Sequence, residues 1–265
     1  MMEYGVCNLS AIPLRAETSE KAEMVSQLLF GDAFLITEQN DEWLKIKTCD
    51  CDYEGWINKK LFNSLHHKDV ENYLMSEKYI VKDYLFFLKD FETNITFPIF
   101  IGSSFPYPQG DMLILGDRIF IVNLPEDMPK KKHPVLSVAQ HSLLSFVSVY
   151  LESPYLWGGR TPAGIDCSGL VQLAFKSIGI SIPRDASQQV HCGNFIDINE
   201  TQPGDVAFFH NEGGKIVHTG IVLSSGQIIH ASGKVRIDRL DATGILNEKS
   251  GEYTHKLHVI KRIIS

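Results

Sequence analysis

Residues 155–171 read YLWGGRTPAGIDCSGLV and mark the junction between a glycine-rich loop and a helix. Apolar residues recur at helical spacing over 168–178, and Asp166 is of a residue type favoured as an N-cap. Cys167 is therefore predicted to lie at a helix N-terminus. Exposed N–H groups and the helix dipole favour the thiolate there, and the thiolate is the nucleophilic form of cysteine. A buried and chemically inert cysteine is the alternative.

The sequence around this junction changes its periodicity from helix to strand. Apolar spacing predicts one helix before the junction, over 138–151. Short apolar runs after it predict strands at 205–209, 219–223, 227–230 and 257–260. Helices followed by a sheet indicate an α+β domain.

Two histidines flank a predicted hairpin and are candidates for the base that a catalytic thiol requires. His218 precedes the strand at 219–223, His230 ends the strand at 227–230, and the turn between the strands reads SSG. A three-residue loop would place both side chains on the same face of the sheet, almost opposite each other. A loop of two or four residues would place them on opposite faces. No acidic partner is identified for the pair.

Other roles for the cysteines remain open at this point. Zinc binding by Cys167, His218 and His230 would also suit a hydrolase. Cys192, beside His191, is a competing thiol, but no helix start follows it. Cys49 and Cys51 lack a second Cys/His pair at metal-ligand spacing. Five cysteines match no common disulfide framework, so reduced thiols are expected.

The first half of the chain has the sequence pattern of small β domains. Runs at 33–36, 43–46 and 55–57 are separated by turn residues, which is typical of a small β-barrel. A second set of apolar runs, interrupted by proline and glycine, lies at 97–101, 112–115 and 118–122. A segment rich in proline and lysine, 128–134, resembles a domain boundary. The predicted domains are therefore 1–65, 66–130 with its linker, and 131–265.

Length and charge exclude several classes of protein. A chain of 265 residues is long for one domain, and 25 basic against 32 acidic residues give a formal net charge of −7. This balance argues against binding to nucleic acid or an anionic membrane. No run of apolar residues is long enough to span a bilayer, and the first residues do not read as a secretory signal. A cytoplasmic protein is expected.

Several motifs occur in an order that resembles the NlpC-type cell-wall peptidases. They span most of 137–264 and read YLWGG at 155–159, DCSGLV at 166–171, PRDASQ at 183–188, PGDV at 203–206, HTGI at 218–221 and HAS at 230–232. The resemblance implies a papain-like α+β fold with a Cys–His–His triad and no metal or other cofactor.

Carried over to this sequence, the resemblance implies a role for each motif residue. Cys167 would be the nucleophile, His218 the general base, and His230 the residue that orients the imidazole. Tyr155 and the Cys167 backbone N–H would hold the oxyanion. The remaining implied substrate contacts are Asp166, Asp185 and Ser187.

The N-terminal motifs resemble the bacterial SH3-like barrel of a subgroup called dipeptidyl-peptidase VI. They read SAIPLRAE at 10–17, EMVSQ at 23–27 and YEGWI at 53–57. In that subgroup an acidic side chain and a tyrosine bind a free α-amine, and Glu23 and Tyr53 occupy the matching positions. The resemblance implies that murein peptides with a free N-terminal L-Ala are cut between γ-D-Glu and the diamino acid, in the recycling of wall peptides. The middle segment is assigned no function.

Two other functions are compatible with these motifs. SH3-like barrels often bind peptides or glycan, so the chain could be a wall-peptide binding module with an inactive hydrolase domain. The same fold could also serve an amidase, an acyltransferase or a transglutaminase. The intact set of Cys167, His218 and His230 argues against an inactive module.

Overall fold

The computed structural model describes residues 3–124, 136–224 and 226–264. The chain divides into two compact units, Met1–Lys132 and His133–Ser265. The boundary segment predicted at 128–134, with its lysines, lies outside the described residues.

The first unit is built mainly from antiparallel strands. Its strands are β1 Tyr4–Val6, β2 Ala11–Arg15, β3 Met24–Leu29, β4 Ala33–Gln39, β5 Trp43–Thr48, β6 Glu54–Asn58, β7 Ser64–Leu65, β8 Lys78–Ile80, β9 Leu85–Asp90, β10 Thr96–Phe100, β11 Ser104–Pro106, β12 Met112–Leu115 and β13 Arg118–Ile121. One helix, α1 His67–Met75, precedes β8. A seven-stranded sheet has the order β3-β2-β6-β5-β4-β1-β7, and a four-stranded sheet has the order β10-β9-β13-β12.

Alternating apolar positions on the first sheet bury one core, which contains Ile12, Leu14, Phe34 and Ile46. A second core is shared between the first sheet and the middle segment. Phe30 lies in this shared core with its ring centroid 5.2 Å from that of Phe120. The segments that the sequence analysis divided at residue 65 therefore pack as one body.

In its described residues, the second unit combines three α-helices with a closed sheet. The helices are α2 Leu136–Ser148, α3 Cys167–Ser177 and α4 Ala186–Gln189. The strands are β14 Arg160–Thr161, β15 Gly164–Ile165, β16 Asn194–Ile196, β17 Val206–His210, β18 Ile216–Ser224, β19 Gln227–Ser232, β20 Lys234–Leu240, β21 Gly244–Asn247 and β22 Glu252–Arg262. Among the described residues, no helix is long and apolar enough to cross a bilayer.

The large sheet of this unit closes on itself. Its order is β16-β22-β17-β18-β19-β20-β21, and β21 pairs in turn with β22. Side chains such as Phe209, Val222, Ile228 and Leu240 fill a common apolar core. Helix α3 packs against β18 and β19 and buries ten of its eleven residues. This packing brings the start of α3 to the hairpin that carries the two histidines.

Candidate active site

Cys167 is the first residue of α3 and is 6% exposed. The Asp166 side chain caps the helix by accepting from the Gly169 backbone N–H at 2.7 Å. A Cβ at position 169 would lie 2.7 Å from the Gly159 carbonyl oxygen, so only glycine allows the loop to approach the helix this closely. The Asp166 cap and the close packing of the loop at Gly169 together fix the position of Cys167.

A buried ion pair holds the cap in place. The Arg184 guanidinium, 2% exposed, donates to both carboxylate oxygens of Asp166 at 3.0 and 2.6 Å and to the Ser168 hydroxyl at 2.8 Å. Asp166 also accepts from the Gly158 backbone N–H at 2.9 Å. Both carboxylate oxygens are therefore engaged in structural contacts at the helix start.

The hairpin places His218 and His230 on the same face. Gly220 pairs with His230 and Val222 with Ile228, which is the register predicted for a three-residue loop, and a bulge follows at Ser224. A Cβ at Gly220 would lie 2.8 Å from the Cβ of His230, so glycine leaves the room that the imidazole needs. The Nε2 of His218 lies 2.9 Å from the Nδ1 of His230.

The hydrogen-bond chain of the two histidines ends at Asp238, an acidic residue that the sequence analysis missed. The Nε2 of His230 lies 3.0 Å from Asp238 Oδ2, and Arg236 donates to Asp238 Oδ1 at 2.8 Å. Burial opposes ionisation of Asp238, but its hydrogen bonds to His230 and Arg236 outweigh that effect and lower its pKa. Strand β20 directly follows the His230 strand, and Ile228 pairs with Asp238. The alternation of side chains along β20 could therefore have indicated that Asp238 lies on the same face as His230.

This chain of contacts assigns the tautomers. A carboxylate can only accept, so Nε2 of His230 carries a proton and donates to Asp238. In neutral His230, Nδ1 is then an acceptor and receives the Nε2–H of His218. The Nδ1 of His218 is left with a free lone pair. It is the ring nitrogen of His218 that can accept a proton from a thiol.

The sulfur of Cys167 lies beside β18, the strand that carries His218. It accepts hydrogen bonds from the backbone N–H groups of Thr219, the residue after His218, and of Ser168. Burial, with a smaller contribution from the Asp166 charge, nevertheless raises the pKa of the thiol to about 12. The sequence analysis expected the helix start to favour the thiolate. In the structure burial outweighs that effect, and the resting cysteine is protonated.

A third histidine covers the ring of His218. The ring of His255, on β22, stacks on that of His218 with centroids 4.0 Å apart and an angle of 23° between the planes. Burial, and then the charges of His255 and His230, hold the pKa of His218 well below its usual value. Burial and the His230 charge lower the pKa of His255 to about 4. The sequence analysis assigned His255 no role, because no local motif marks it.

The three imidazoles are close enough to suggest a metal site, but their geometry does not fit one. Nitrogens of His218, His230 and His255 lie within 4.8 Å of one another. However, His218 and His230 direct their nitrogens at each other, and the in-plane lone pairs of two stacked rings cannot converge on one ion. The arrangement favours a hydrogen-bonded relay over the zinc alternative.

Two family models match parts of this chain. Residues 152–252 match the NlpC/P60 family, and residues 14–60 match the bacterial dipeptidyl-peptidase SH3 domain. The second unit carries an NlpC/P60 domain. It contains Cys167, His218, His230 and Asp238, whereas His255 lies just beyond the matched residues.

The chain is similar to several known proteins over most of its length. The chain is 27% identical over 242 residues to a gamma-D-glutamyl-L-lysine dipeptidyl-peptidase of Bacillus subtilis, covering 84% of this chain and 78% of that protein. It is 24% identical over 250 residues to a protein of the same name from Bacillus cereus, covering 86% and 74%. A crystal structure of an NlpC/P60 family protein from Bacillus cereus matches with a TM-score of 0.82 at 18% identity and covers 99% of this chain and all of that one. The predicted fold, an α+β papain-like NlpC/P60 domain preceded by an SH3-like domain, is confirmed.

The other residues predicted to contact substrate or its oxyanion also lie in the NlpC/P60 domain. The backbone of Tyr155 forms an isolated parallel β-bridge with that of Ile165. Burial raises the pKa of the Tyr155 phenol above its usual value, and the charges of Cys167 and Asp166 add to this effect. Its phenol therefore stays protonated. Asp185 precedes α4 and makes no side-chain cap hydrogen bond, and Ser187 is exposed. Substrate contacts by these residues and by Asp166 stay predictions.

The two residues implied in amine binding belong to the first unit. Glu23 is exposed just before β3. Tyr53 is partly buried and packs against the core that contains Leu14 and Ile46. Their role as an amine site stays a prediction.

Removing Arg184 should destabilise the NlpC/P60 domain. Arg184→Met leaves the Asp166 carboxylate buried without its counter-charge, which costs about 3–5 kcal/mol of unfolding free energy. Adding Asp166→Asn keeps a capping side chain without the charge and should recover part of the loss. Urea denaturation of the full chain measures both. A loss in the single variant no larger than that of Lys234→Met, at the exposed pair with Glu152, would contradict this role.

Asp238 should act by positioning the relay. In Asp238→Asn the amide no longer fixes the proton of His230 on Nε2, so the acceptor for His218 is lost in part of the molecules. We expect kcat to fall at least about tenfold with KM nearly unchanged, as for partners that orient a functional imidazole. Steady-state kinetics test this, with the unfolding free energy as control. An unchanged kcat would remove Asp238 from the relay.

Proposed function

We propose that this chain is a cysteine peptidase that hydrolyses the bond between γ-D-Glu and the diamino acid in murein peptides with a free N-terminal L-Ala. The products are L-Ala-D-Glu and the remaining peptide. The observation that carries the proposal is the relay from His218 through His230 to Asp238 beside a cysteine at a helix start. The two Bacillus relatives, named for γ-D-glutamyl-L-lysine peptide cleavage, support the bond that is chosen.

The relay supports a complete acyl transfer. As the sulfur of Cys167 attacks the γ-carbonyl carbon, the Nδ1 of His218 takes the thiol proton, and the carbonyl electrons move to oxygen. The protonated phenol of Tyr155 and the Cys167 backbone N–H are the proposed donors to this oxyanion. When the C–N bond breaks, His218 returns the proton to the leaving amine. Water then cleaves the thioester by the same route and restores the thiol.

The relay also stabilises the charge that forms on His218. Its Nε2–H remains bonded to His230, whose own proton points at the Asp238 carboxylate. The Asp238 carboxylate, two hydrogen bonds away, thereby compensates positive charge on His218 inside a site of low dielectric constant. Because thiol and imidazole are both neutral at rest, the two charges arise together.

A free amine is the proposed requirement at the other end of the substrate. By the resemblance of the first barrel, the Glu23 carboxylate and the Tyr53 hydroxyl bind the ammonium of L-Ala. A stem peptide that is still attached to glycan has this amine acylated and would leave the carboxylate unpaired. The proposal therefore includes a role in recycling released wall peptides in the cytoplasm.

Replacement of the nucleophile should abolish the reaction. With Cys167→Ala, we expect no L-Ala-D-Glu from L-Ala-γ-D-Glu-diaminopimelate, while Cys192→Ala keeps the wild-type rate. Mass spectrometry of the products measures both, and circular dichroism checks that each variant is folded. Turnover by the alanine variant would move the nucleophile elsewhere. Release of products other than L-Ala-D-Glu by the wild type would favour an amidase or an acyltransferase.

N-acetylation of the substrate should test the amine requirement. Glu23 is exposed in the free protein, and the proposal requires the bound peptide to bury its pair with the ammonium. Loss of such a buried pair costs about 2–5 kcal/mol, which corresponds to a fall in kcat/KM of roughly thirtyfold or more. Glu23→Gln should slow cleavage of the free peptide and leave the acetylated peptide unaffected. Glu17→Gln, an exposed acidic residue nearby in the sequence, serves as the matched control. Equal rates on both peptides would remove the proposed role of Glu23 and Tyr53.

A further inference from the structure

His255 is the third histidine at the candidate active site, and the proposed acyl transfer uses it in no step. Its ring stacks on that of His218 with centroids 4.0 Å apart and 23° between the planes. The ring of Phe209, on β17, lies 5.8 Å from that of His218 and 6.0 Å from that of His255. His218 is 5% exposed, whereas His255 is only partly buried. His255 therefore covers one face of His218 and itself borders solvent.

A β-bulge in β22 directs His255 into the site. The pairing of β22 with β17 shifts by one residue at His258. Side chains alternate along a strand, and an extra residue reverses the alternation beyond it. Ile260 and Leu257, on the two sides of the shift, therefore both face the apolar core of the closed sheet. His255, two residues before Leu257, points to the same face, whereas His258 is exposed.

The neighbouring residues leave room for His255 and restrain it. Ile245 pairs with His255, and Gly244, the residue before Ile245, has a φ of +150°. A Cβ at Gly244 would lie 1.8 Å from the carbonyl oxygen of His255, so only glycine permits this approach. The Thr254 hydroxyl oxygen lies 2.9 Å from the Nδ1 of His255. Bulges next to active sites commonly redirect a side chain, and here the bulge and the glycine both serve the position of His255.

We propose that His255 is a positioning residue for His218, whose ring it holds in orientation and shields from water on one face. The proposal rests on the proposed function, in which the Nδ1 of His218 takes and returns the proton. The hydrogen bond to His230 and the bond to Cβ fix two points of the His218 ring, but the ring can still turn about the axis through them. The Nδ1 lies off this axis. Stacking removes the remaining rotation, so Nδ1 keeps its direction.

The surroundings of the stacked rings determine how the pH profile responds to a change at His255. Burial, and then the charges of His255 and His230, lower the pKa of His218. Because His255 provides part of that burial, its removal should raise the pKa of His218 towards its ordinary value. Neutral His218 is the reactive form, so activity should then be lost at a higher pH. The other ionisable groups around the two rings are Cys167 and Asp166 on α3, His230 on β19, and Arg236 and Asp238 on β20.

Two variants separate the stacked ring from its nitrogen atoms. In His255→Ala one face of His218 is open, and we expect kcat for L-Ala-γ-D-Glu-diaminopimelate to fall about tenfold with KM nearly unchanged. The acid limb of its kcat/KM profile should move to higher pH by about half a unit or more. His255→Phe keeps a flat ring, so its kcat should stay within about threefold of the wild type, and its acid limb should move less.

A matched histidine and a readout without substrate separate the outcomes. His258→Ala removes the other histidine of β22, which is exposed and contacts His210, and should leave kcat and the acid limb unchanged. The rate at which iodoacetamide alkylates Cys167, followed by mass spectrometry of its peptide, gives the acid limb in the absence of peptide substrate.

Failure of this inference differs from failure of the proposed function. A wild type that releases no L-Ala-D-Glu would overturn the proposed function, while the alkylation profile would still test His255. An acid limb at the same pH in the wild type and in His255→Ala would overturn the inference, even if kcat fell, because a merely structural role leaves the limb in place. Equal losses in His255→Ala and His255→Phe would also overturn it, because the stacked ring alone would then not suffice.

Discussion

The hydrogen-bond chain from His218 through His230 to Asp238 is the interaction on which the candidate active site depends. Each member limits the next, because an ionised carboxylate accepts only, and a neutral imidazole has one donor and one acceptor. The chain therefore ends with a free lone pair on the Nδ1 of His218. Without Asp238 the proton of His230 could occupy either nitrogen, and His218 would lose its fixed tautomer. Asp238, two hydrogen bonds away from His218, thus decides which nitrogen of His218 carries the proton.

Burial gives this site a neutral resting state. Cys167 and His218 are both almost fully buried, which raises the pKa of the thiol and lowers that of the imidazole. The stacked ring of His255 adds to the second effect and also excludes water from one face of His218. An isolated charge is therefore disfavoured on either group, whereas a proton passed between them creates two opposite charges that attract each other. The same low dielectric environment that opposes each charge strengthens their pairing.

How far the site could be predicted follows from the range of each interaction. The helix start at Cys167 and its Asp166 cap are local, so spacing and residue type were sufficient. The pairing of His218 with His230 depended on the hairpin loop, and the sequence left its length open until the register was known. Asp238 lies one strand further on, within reach of pattern reasoning. His255 comes from β22, which pairs with β17 on the side opposite to β18, and only the strand order β22-β17-β18 brings it to His218.

The middle segment shows a different limit. Its strands at β10, β12 and β13 alternate clearly, and the sequence analysis predicted each of them within two residues. Periodicity reports which face of a strand is buried, but it does not say what covers that face. Phe30, in the turn between β3 and β4, contacts Phe105 and Phe120 of the middle segment, so apolar residues of two predicted domains cover each other. A domain boundary drawn from turn residues and composition therefore separates segments that share one core, and only the contacts of these rings reveal it.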